Sequence, residues 1–500
     1  MPLLDAARAS PARIVLTLCL AQTLVWTLLP SLTNLALPID VIEGYLWGRE
    51  WVIATYKHPA LPSWVLELSR LVTGRTGWPA YLVSQIFICA SLGFIYLLGR
   101  DLMDARRGAA AAVLSSGIFF FSWFSPEFNH NVAQMPFWIG FVWALWRATR
   151  QSTVIAWLVA ATFAAACIYT KLSCATLLAV SAAWLLWDAT ARRRLGTAAP
   201  WIGLALFLAL VSPLALWLWR NNFLPLDYAE RRANGSTAVS IPDFLVGQIG
   251  HHAPMLGLLA YAGLLWQSRR PLVEDTGKAT VDQDAARFLL VMAAGPLLAL
   301  LVASLAFGMH LKPAWTASMS TLSGLLAVSV CSPRFTSWTY ARLLRIAAIA
   351  FLATPAVYLY DTLAGSRDSD RYRPQQAAWP ADAIAEQALA GWAKATNAPL
   401  RIVIGETRVA GIAALQAPSR PSLLTYGEFW RAPWVTPERL KREGALLVWS
   451  DPGGTNPQQM RTLAGEAPIH NVQIPWPRAP KKSPLKLYFA IIPPQAAAKP

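Results

Sequence analysis

Charged residues are scarce in this chain of 500 residues, because Asp, Glu, Lys and Arg together make up only 14% of it, whereas 55% is hydrophobic. This composition, with apolar runs throughout, excludes an ordinary water-soluble domain. A membrane-crossing helix needs about 20 mostly apolar residues. We therefore predict a polytopic α-helical membrane protein with about eleven spans, near residues 12–35, 78–99, 108–125, 132–147, 153–169, 172–188, 200–219, 251–267, 286–307, 313–332 and 343–360.

Cysteine is also rare, and the five cysteines all fall inside predicted spans. They lack metal-ligand spacing, so we expect neither structural disulfides nor a cysteine metal centre. The net charge of +16 is not arranged as a basic patch interleaved with aromatic residues. Nucleic acid is therefore excluded as a partner.

Basic residues collect in alternate loops, and the positive-inside rule places such loops in the cytoplasm. These residues are Arg100, Arg106, Arg107, Arg147, Arg150, Arg192, Arg193, Arg194, Arg269, Arg270, Arg334, Arg342 and Arg345. The segments predicted to face outward are the one after Asp40, 125–131, the turn near Lys171, 221–250, 308–312 and everything after Asp361. The predicted location is a bacterial-type inner membrane, with the amino terminus inside and the carboxy terminus outside.

Residues 361–500 contain no run able to cross a membrane, so we predict that they form a second domain outside the membrane part, residues 1–360. Strands are predicted at 400–404, 445–449 and 485–491, and helices at 381–395 and 436–443. These elements indicate a small α/β domain.

The first outward segment, residues 38–78, is too long for a simple turn. Its stretch 59–72 would rise only about 21 Å as a helix, too little to cross. We predict one or two amphipathic helices at the outer interface. The aromatic residues expected at headgroup depth are Trp47, Trp51, Tyr56 and Trp64. The charged residues expected to face water are Arg49, Glu50 and Glu67.

Two acidic residues of this segment, Asp40 and Glu43, are three positions apart and share a face if the segment is helical. One could act as a general base, but the local sequence favours Asp40 as a helix N-cap, and the two roles are not exclusive. Lys57 and His58 could bind phosphate or could anchor the segment at the interface. The local sequence leaves both pairs of interpretations open.

The stretch Pro-Ile-Asp-Val-Ile-Glu-Gly-Tyr-Leu-Trp-Gly-Arg-Glu-Trp (38–51), followed by Tyr-Lys-His-Pro-Ala-Leu-Pro-Ser-Trp (56–64), resembles the first outer loop of the family 39 glycosyltransferases. This group is related to protein O-mannosyltransferases and lipid A aminoarabinose transferases. The resemblance extends more weakly through Asn129-His130-Asn131 and Lys171. It departs from the family pattern at Val41, in place of the second acid of an Asp-Glu pair, and at Ala60, in place of a second proline.

The resemblance implies a GT-C fold and an inverting glycosyltransferase that moves a sugar from a polyprenyl phosphate to a lipid, glycan or protein acceptor. Asp40 is then the expected base, with Glu43 as a substitute. The residues expected to bind the donor phosphate are Lys57, His58, Lys171, Arg231 and Arg232, and those expected to line the substrate are Tyr56, His130, Asn131, His310 and Lys312. A divalent metal ion near Asp40 is allowed by analogy, although the sequence supplies no dedicated ligand set.

Several of these residues also have simpler interpretations. Lys171 could snorkel to the interface, His130 could be an exposed loop histidine, and the arginine pair could lie on a solvated surface. Two other classes of protein stay open as well. A transporter usually places ionisable residues near the middle of its spans. A non-catalytic scaffold or lipid-binding relative would fit the loss of the second acid at Val41.

Overall fold

The computed structural model describes residues 10–151, 153–234, 239–265, 282–331, 334–364, 376–451 and 457–495. The chain divides into two compact units. The first, the helical unit, comprises residues 1–27, 57–61 and 81–357, and the second, the mixed unit, comprises residues 28–56, 62–80 and 358–500. The first outward segment is thus divided between the units, with one boundary between Tyr56 and Lys57.

Helices account for most of the chain up to residue 364. In chain order they are α1 (Pro11–Thr33), α2 (Ile39–Arg49), α3 (Leu61–Thr73), α4 (Trp78–Leu102), α5 (Ala105–Ser115), α6 (His130–Gln151), α7 (Val154–Thr170), α8 (Cys174–Trp187), α9 (Ala189–Arg194), α10 (Ala198–Arg220), α11 (Leu224–Ala233), α12 (Ile241–Ala262), α13 (Gln283–Phe307), α14 (Ser323–Val330) and α15 (Ser337–Ala364). Short 3₁₀ helices lie at Phe119–Phe121, Pro313–Thr316 and Met319–Leu322.

Among the described residues, five helices are long and apolar enough to cross a membrane, namely α1, α4, α10, α13 and α15. Shorter apolar helices are α7, α8 and the stretch Met319–Val330. Within the helical unit α6 packs on α7, α7 on α10, α5 on α14 and α8 on α13. The polytopic helical architecture predicted from the sequence is confirmed, and the number of crossings stays a prediction.

Three predicted spans differ from the structure. The run 108–125 is not one helix, because α5 ends at Ser115 and a 3₁₀ turn follows. A Cβ atom on Gly117 would lie 3.2 Å from the backbone nitrogen of Met255, so the chain bends where α12 approaches closely. The run 313–332 consists of two 3₁₀ turns and the short α14, and α12 starts at Ile241 rather than near 251. Residues 266 and 267, at the end of the predicted span 251–267, lie outside the described residues.

The segment 221–250, expected to be a long loop, contains α11 and the first turns of α12. Both helices begin with a proline in the first turn, where a missing N–H costs nothing. Ser240 caps α12 by accepting a hydrogen bond from the Asp243 backbone nitrogen. Polar composition therefore misled the prediction here, although the helix start signals are present.

The described carboxy-terminal part of the mixed unit is an α/β structure. Its elements are α16 (Ala381–Ala395), β1 (Ile402–Gly405), α17 (Val409–Gln416), β2 (Ser422–Thr425), a 3₁₀ turn (Phe429–Arg431), α18 (Pro437–Glu443), β3 (Ala445–Asp451), α19 (Pro457–Ala464), β4 (His470–Ile474) and β5 (Leu485–Ile492). The strands form one sheet in the order β2-β1-β3-β5-β4. β1 pairs parallel with β2 and β3, whereas β5 pairs antiparallel with β3 and β4. The predicted α/β character is confirmed.

Alternate residues of the sheet point into two apolar cores, as the two-residue period of a strand requires. Val403 and Val448 face one core, which α16 and α17 cover, while Ile404 and Trp449 face the other. The first core also takes in Ile42 and Leu46 of α2. The helix that carries Asp40 is therefore part of the hydrophobic core of the carboxy-terminal domain.

Helices α2 and α3 pack so closely that two glycines of α2 are required. A Cβ atom on Gly44 would lie 2.6 Å from Leu66, and one on Gly48 would overlap the backbone of Ser63. The prediction of two helices in this segment is confirmed, but their surroundings differ from the prediction. Trp47, Tyr56 and Glu67 are buried within the protein, so they reach neither the headgroups nor water.

Candidate active site

The helical unit brings together most of the predicted phosphate-binding residues. Lys57 and His58 lie in the segment before α3, His130 and Asn131 begin α6, and Lys171 forms the turn between α7 and α8. Three separate stretches of the chain thus converge, each at a helix end. The prediction that α7 and α8 are joined by a very short turn is confirmed.

The imidazole rings of His58 and His130 lie 4.2 Å apart between centroids. Tyr228 of α11 contacts the same ring of His58 edge-on at 5.8 Å, and the ammonium of Lys57 lies 5.6 Å from the centre of the Tyr228 ring. The site therefore has an aromatic wall that the sequence prediction did not include. A tyrosine in a polar helix carries no local signal that would have identified it.

Lys171 is 9% exposed, and its Nζ donates a 2.7 Å hydrogen bond to Oδ1 of Asn131. A snorkelling side chain would reach for the interface, whereas this one is directed at α6. The structure thus favours Lys171 as a fixed cation of the cluster.

Electrostatics decide which members of the cluster are charged. Burial, together with neighbouring titratable groups, lowers the pKa of His58 well below its usual value; these groups are His130, Lys171, Lys57 and Arg232. The pKa of His130, which precedes the predicted span, is lowered to about 3, mainly by burial and by Lys171. At neutral pH both imidazoles are therefore uncharged, and the positive charge comes from lysine and arginine.

Of the remaining basic candidates, Arg232 lies near enough to His58 to lower its pKa. Arg231 and Arg232 are exposed in the last turn of α11. Lys312 is partly buried, and its pKa is lowered by burial and by Arg232. His310 is exposed beside Leu311, whose backbone pairs with that of Val239.

A metal centre is not supported by the described side chains. No group of three or more His, Cys, Asp or Glu residues converges among them. The pair His58 and His130 supplies two imidazoles, which is short of a usual ligand set. We therefore derive no step through a metal ion.

The two candidate acids belong to the mixed unit and differ in accessibility. Asp40 is exposed and Glu43 is 6% exposed, although both lie in α2. The N-cap of α2 is Pro38, so the interpretation of Asp40 as the cap is wrong. Asp40 lies in the first turn, where a carboxylate is favoured by the helix dipole.

Tyr56, predicted to line the substrate, is 3% exposed and packs within the mixed unit. Its ring contacts Trp430 edge-on at 5.2 Å, and the guanidinium of Arg431 lies 5.0 Å from the ring centre and donates a 3.2 Å hydrogen bond to its hydroxyl. The carboxy-terminal domain therefore fixes the residue that immediately precedes Lys57.

The mixed unit also contains an ion pair, between Glu67 and Arg420, that was not predicted. Arg420 donates two hydrogen bonds to Glu67, of 2.9 and 2.7 Å, and Arg70 donates to the same carboxylate. Glu67 is 2% exposed. Partners 353 positions apart in the chain leave no sequence pattern.

The fold is shared with solved structures. ArnT from Cupriavidus metallidurans bound to undecaprenyl phosphate matches with a TM-score of 0.63 at 15% identity, covering 96% of this chain and 98% of that one. Its apo form matches with a TM-score of 0.62 at 15% identity, covering 95% of this chain and 97% of that one. The archaeal oligosaccharyltransferase AglB from Archaeoglobus fulgidus matches with a TM-score of only 0.41 at 12% identity, covering 82% of this chain and 64% of that one. Among curated proteins, no sequence matches.

The chain therefore shares the fold of these two ArnT structures, and the predicted GT-C fold is confirmed. Residues 57–217 match the family model described as dolichyl-phosphate-mannose-protein mannosyltransferase. That stretch includes Lys57, His58, His130 and Lys171 and begins after Asp40. The resemblance seen in the sequence is thus confirmed.

Proposed function

We propose that this protein transfers a sugar from a polyprenyl phosphate to an acceptor, with inversion at the anomeric carbon. The observation that carries the proposal is the cluster of Lys57, His58, His130 and Lys171, which gathers positive charge and N–H donors from three stretches of a GT-C fold. The ArnT relative bound to undecaprenyl phosphate supports a lipid phosphate as donor. The acceptor is a lipid, glycan or protein.

The reaction needs a base for the acceptor hydroxyl and cations for the departing phosphate. The acceptor hydroxyl oxygen attacks the anomeric carbon while the bond from that carbon to the phosphate oxygen breaks. Asp40, an exposed carboxylate, takes the hydroxyl proton as general base. Burial makes Glu43 less suited to this role.

The departing polyprenyl phosphate carries the negative charge that develops in the transition state. Lys57, Lys171 and Arg232 stabilise it as cations. His58 and His130 are neutral and act as N–H donors rather than as charges. Sidedness follows from the basic loops, so we place this chemistry on the outer face of the cytoplasmic membrane.

The test is transfer from radiolabelled polyprenyl-phosphate-linked sugars to a membrane extract by the purified full chain. We expect Asp40→Asn to reduce transfer by about 100-fold or more, because a general base contributes 10² to 10⁴ in rate. Glu386→Gln, which neutralises an exposed acid on α16, is the matched control and should transfer normally.

Two results would contradict the proposal in different ways. Transfer that survives Asp40→Asn unchanged would remove Asp40 as the base and leave the donor class standing. Transfer from no polyprenyl-linked donor, at full folding of the native chain, would contradict the proposed activity itself.

A further inference from the structure

Gln134 lies one helical turn after Asn131 on α6 and is 1% exposed. Its Nε2 donates hydrogen bonds to the backbone oxygen of Lys171 at 2.8 Å and to that of Cys167 at 3.3 Å. Its Oε1 accepts hydrogen bonds from Ser318 at 2.7 Å and from Ser173 at 3.3 Å. The side chain therefore joins four backbone or hydroxyl groups in a buried place.

A glutamine amide offers two N–H donors and two acceptor lone pairs, and all four are used here. The two carbonyls lie at the end of α7 and in the turn after it, and each also accepts a backbone hydrogen bond, from the nitrogens of Lys171 and Cys174. Gln134 thus ties the end of α7 and this turn to α6 by side-chain hydrogen bonds.

Helix α6 consequently holds Lys171 at two points. Gln134 binds its backbone oxygen, and Asn131, three residues earlier, binds its ammonium group. Residues three apart on a helix lie on the same face, so one rigid surface sets both the turn and the direction of the side chain.

We propose that Gln134 is a positioning residue for donor binding, which acts through Lys171 by fixing the turn between α7 and α8. The inference rests on the proposed function, in which Lys171 binds the donor phosphate. Without the amide, the turn loses its side-chain hydrogen bonds to α6 and the ammonium loses its fixed place. The donor then binds more weakly, although Gln134 touches no substrate.

The experiment is a double-mutant cycle with undecaprenyl phosphate as the probe, titrated into the full chain in detergent. We expect Lys171→Met to weaken binding by at least about tenfold, as for loss of a charge-assisted hydrogen bond. Gln134→Met, similar in size but without hydrogen bonds, should weaken it about fivefold. In the Lys171→Met background the same change should have almost no further effect.

Two further variants separate positioning from general damage. Gln85→Met removes another fully buried glutamine of the helical unit, which bonds to Ser125, and its effect should not depend on Lys171. Ser318→Ala removes one support of Gln134 and leaves the amide itself. It should weaken binding about twofold, again only when Lys171 is present, and it serves if Gln134→Met fails to fold.

The outcomes are distinguishable. Equal weakening by Gln134→Met with and without Lys171, or native affinity in Gln134→Met, would overturn the positioning role while the proposed function stands. Native affinity in Lys171→Met, or no binding of the probe by the native chain, would overturn the role assigned to Lys171 and the inference with it.

Discussion

His58 and His130 face each other among lysine and arginine side chains, and their lowered pKa values link the stability of the fold to pH. In the unfolded chain a histidine takes up a proton near pH 6.5. In the folded chain His58 and His130 take up a proton only at lower pH. Below pH 6.5 the unfolded state therefore binds more protons, and stability falls as the pH falls.

We predict that the protein loses about 1 kcal/mol of stability per histidine between pH 7.5 and pH 5.5, as the linkage relation requires. The measurement is the thermal midpoint of the purified chain at both pH values. His130→Gln should reduce the pH dependence, whereas His470→Gln, at an exposed position on β4, should leave it unchanged. A midpoint that rises on acidification would contradict the assignment of neutral imidazoles.

Glu67, in contrast to these histidines, stabilises the fold in its ionised form. Burial raises its pKa, but hydrogen bonds and charge from Arg420 and Arg70 outweigh burial, so the net shift is downward. A carboxyl with a lowered pKa stabilises the fold at neutral pH, and this stabilisation is lost as the pH falls through the folded value.

We predict that Glu67→Gln lowers stability by about 2–4 kcal/mol, because removing the carboxylate leaves two partly buried arginines without their anionic partner. The partly exposed Arg420 places the effect toward the lower end of that range. Chemical or thermal denaturation of the full chain measures it. The control is Glu443→Gln, which breaks a surface pair with Arg439 and should cost about 1 kcal/mol or less. Equal losses for the two variants would contradict a special role for Glu67.

At the scale of elements, the α2–α3 pair depends on Gly48. We predict that Gly48→Ala destabilises the protein by about 1–3 kcal/mol, because the added methyl group meets the backbone of Ser63, which cannot turn aside. Gly93→Ala in α4 is the matched control, since its Cβ would meet nothing within 4 Å and alanine favours a helix. A stabilised Gly48→Ala would show that α2 and α3 are packed less tightly than described.

Element prediction succeeded where apolar spacing and start signals agree. Helix α16 was predicted with the bounds that the structure has, and β3 and β5 within two residues. Strand β4 was missed because it is mostly exposed and has little apolar pattern, and the four-residue β2 was missed although β1, equally short, was predicted. The break after α5 was missed because the local sequence remains apolar, although Gly117 marks the place where α12 approaches closely.

The candidate site was predictable to the extent that its residues belong to a recognisable motif. Lys57, His58, Asn131 and Lys171 were found by resemblance, and the structure brings them together. Gln134 was not found, since a buried glutamine in an apolar helix has no sequence signal of the carbonyls it will bind. Its partners depend on how α6 meets the turn between α7 and α8.

For the whole molecule, the packing of α2 into the carboxy-terminal core predicts that a remote substitution affects transfer. A Cβ atom on Gly411 of α17 would lie 2.6 Å from Ile42 of α2. We predict that Gly411→Val displaces α2, and Asp40 with it, and reduces transfer about tenfold. The measurement is the initial rate with polyprenyl-linked donor.

Ile42→Ala, introduced into Gly411→Val, should restore part of the rate, since it makes room for the added side chain. Alone it should lower stability by about 2–5 kcal/mol, as large-to-small core changes do. If the double variant is no faster than Gly411→Val, the loss of transfer does not arise from contact with α2.

The pairing of Glu67 with Arg420 also orders the events of biosynthesis. These partners are 353 residues apart. At an elongation rate of about 5–20 residues per second, Arg420 is synthesised roughly 20–70 s after Glu67. During that interval the apolar face of α2 lacks the core that will bury it. The nascent chain is thus exposed to misassembly until its last third has been translated, and the helix that carries the proposed catalytic base is among the last to reach its native packing.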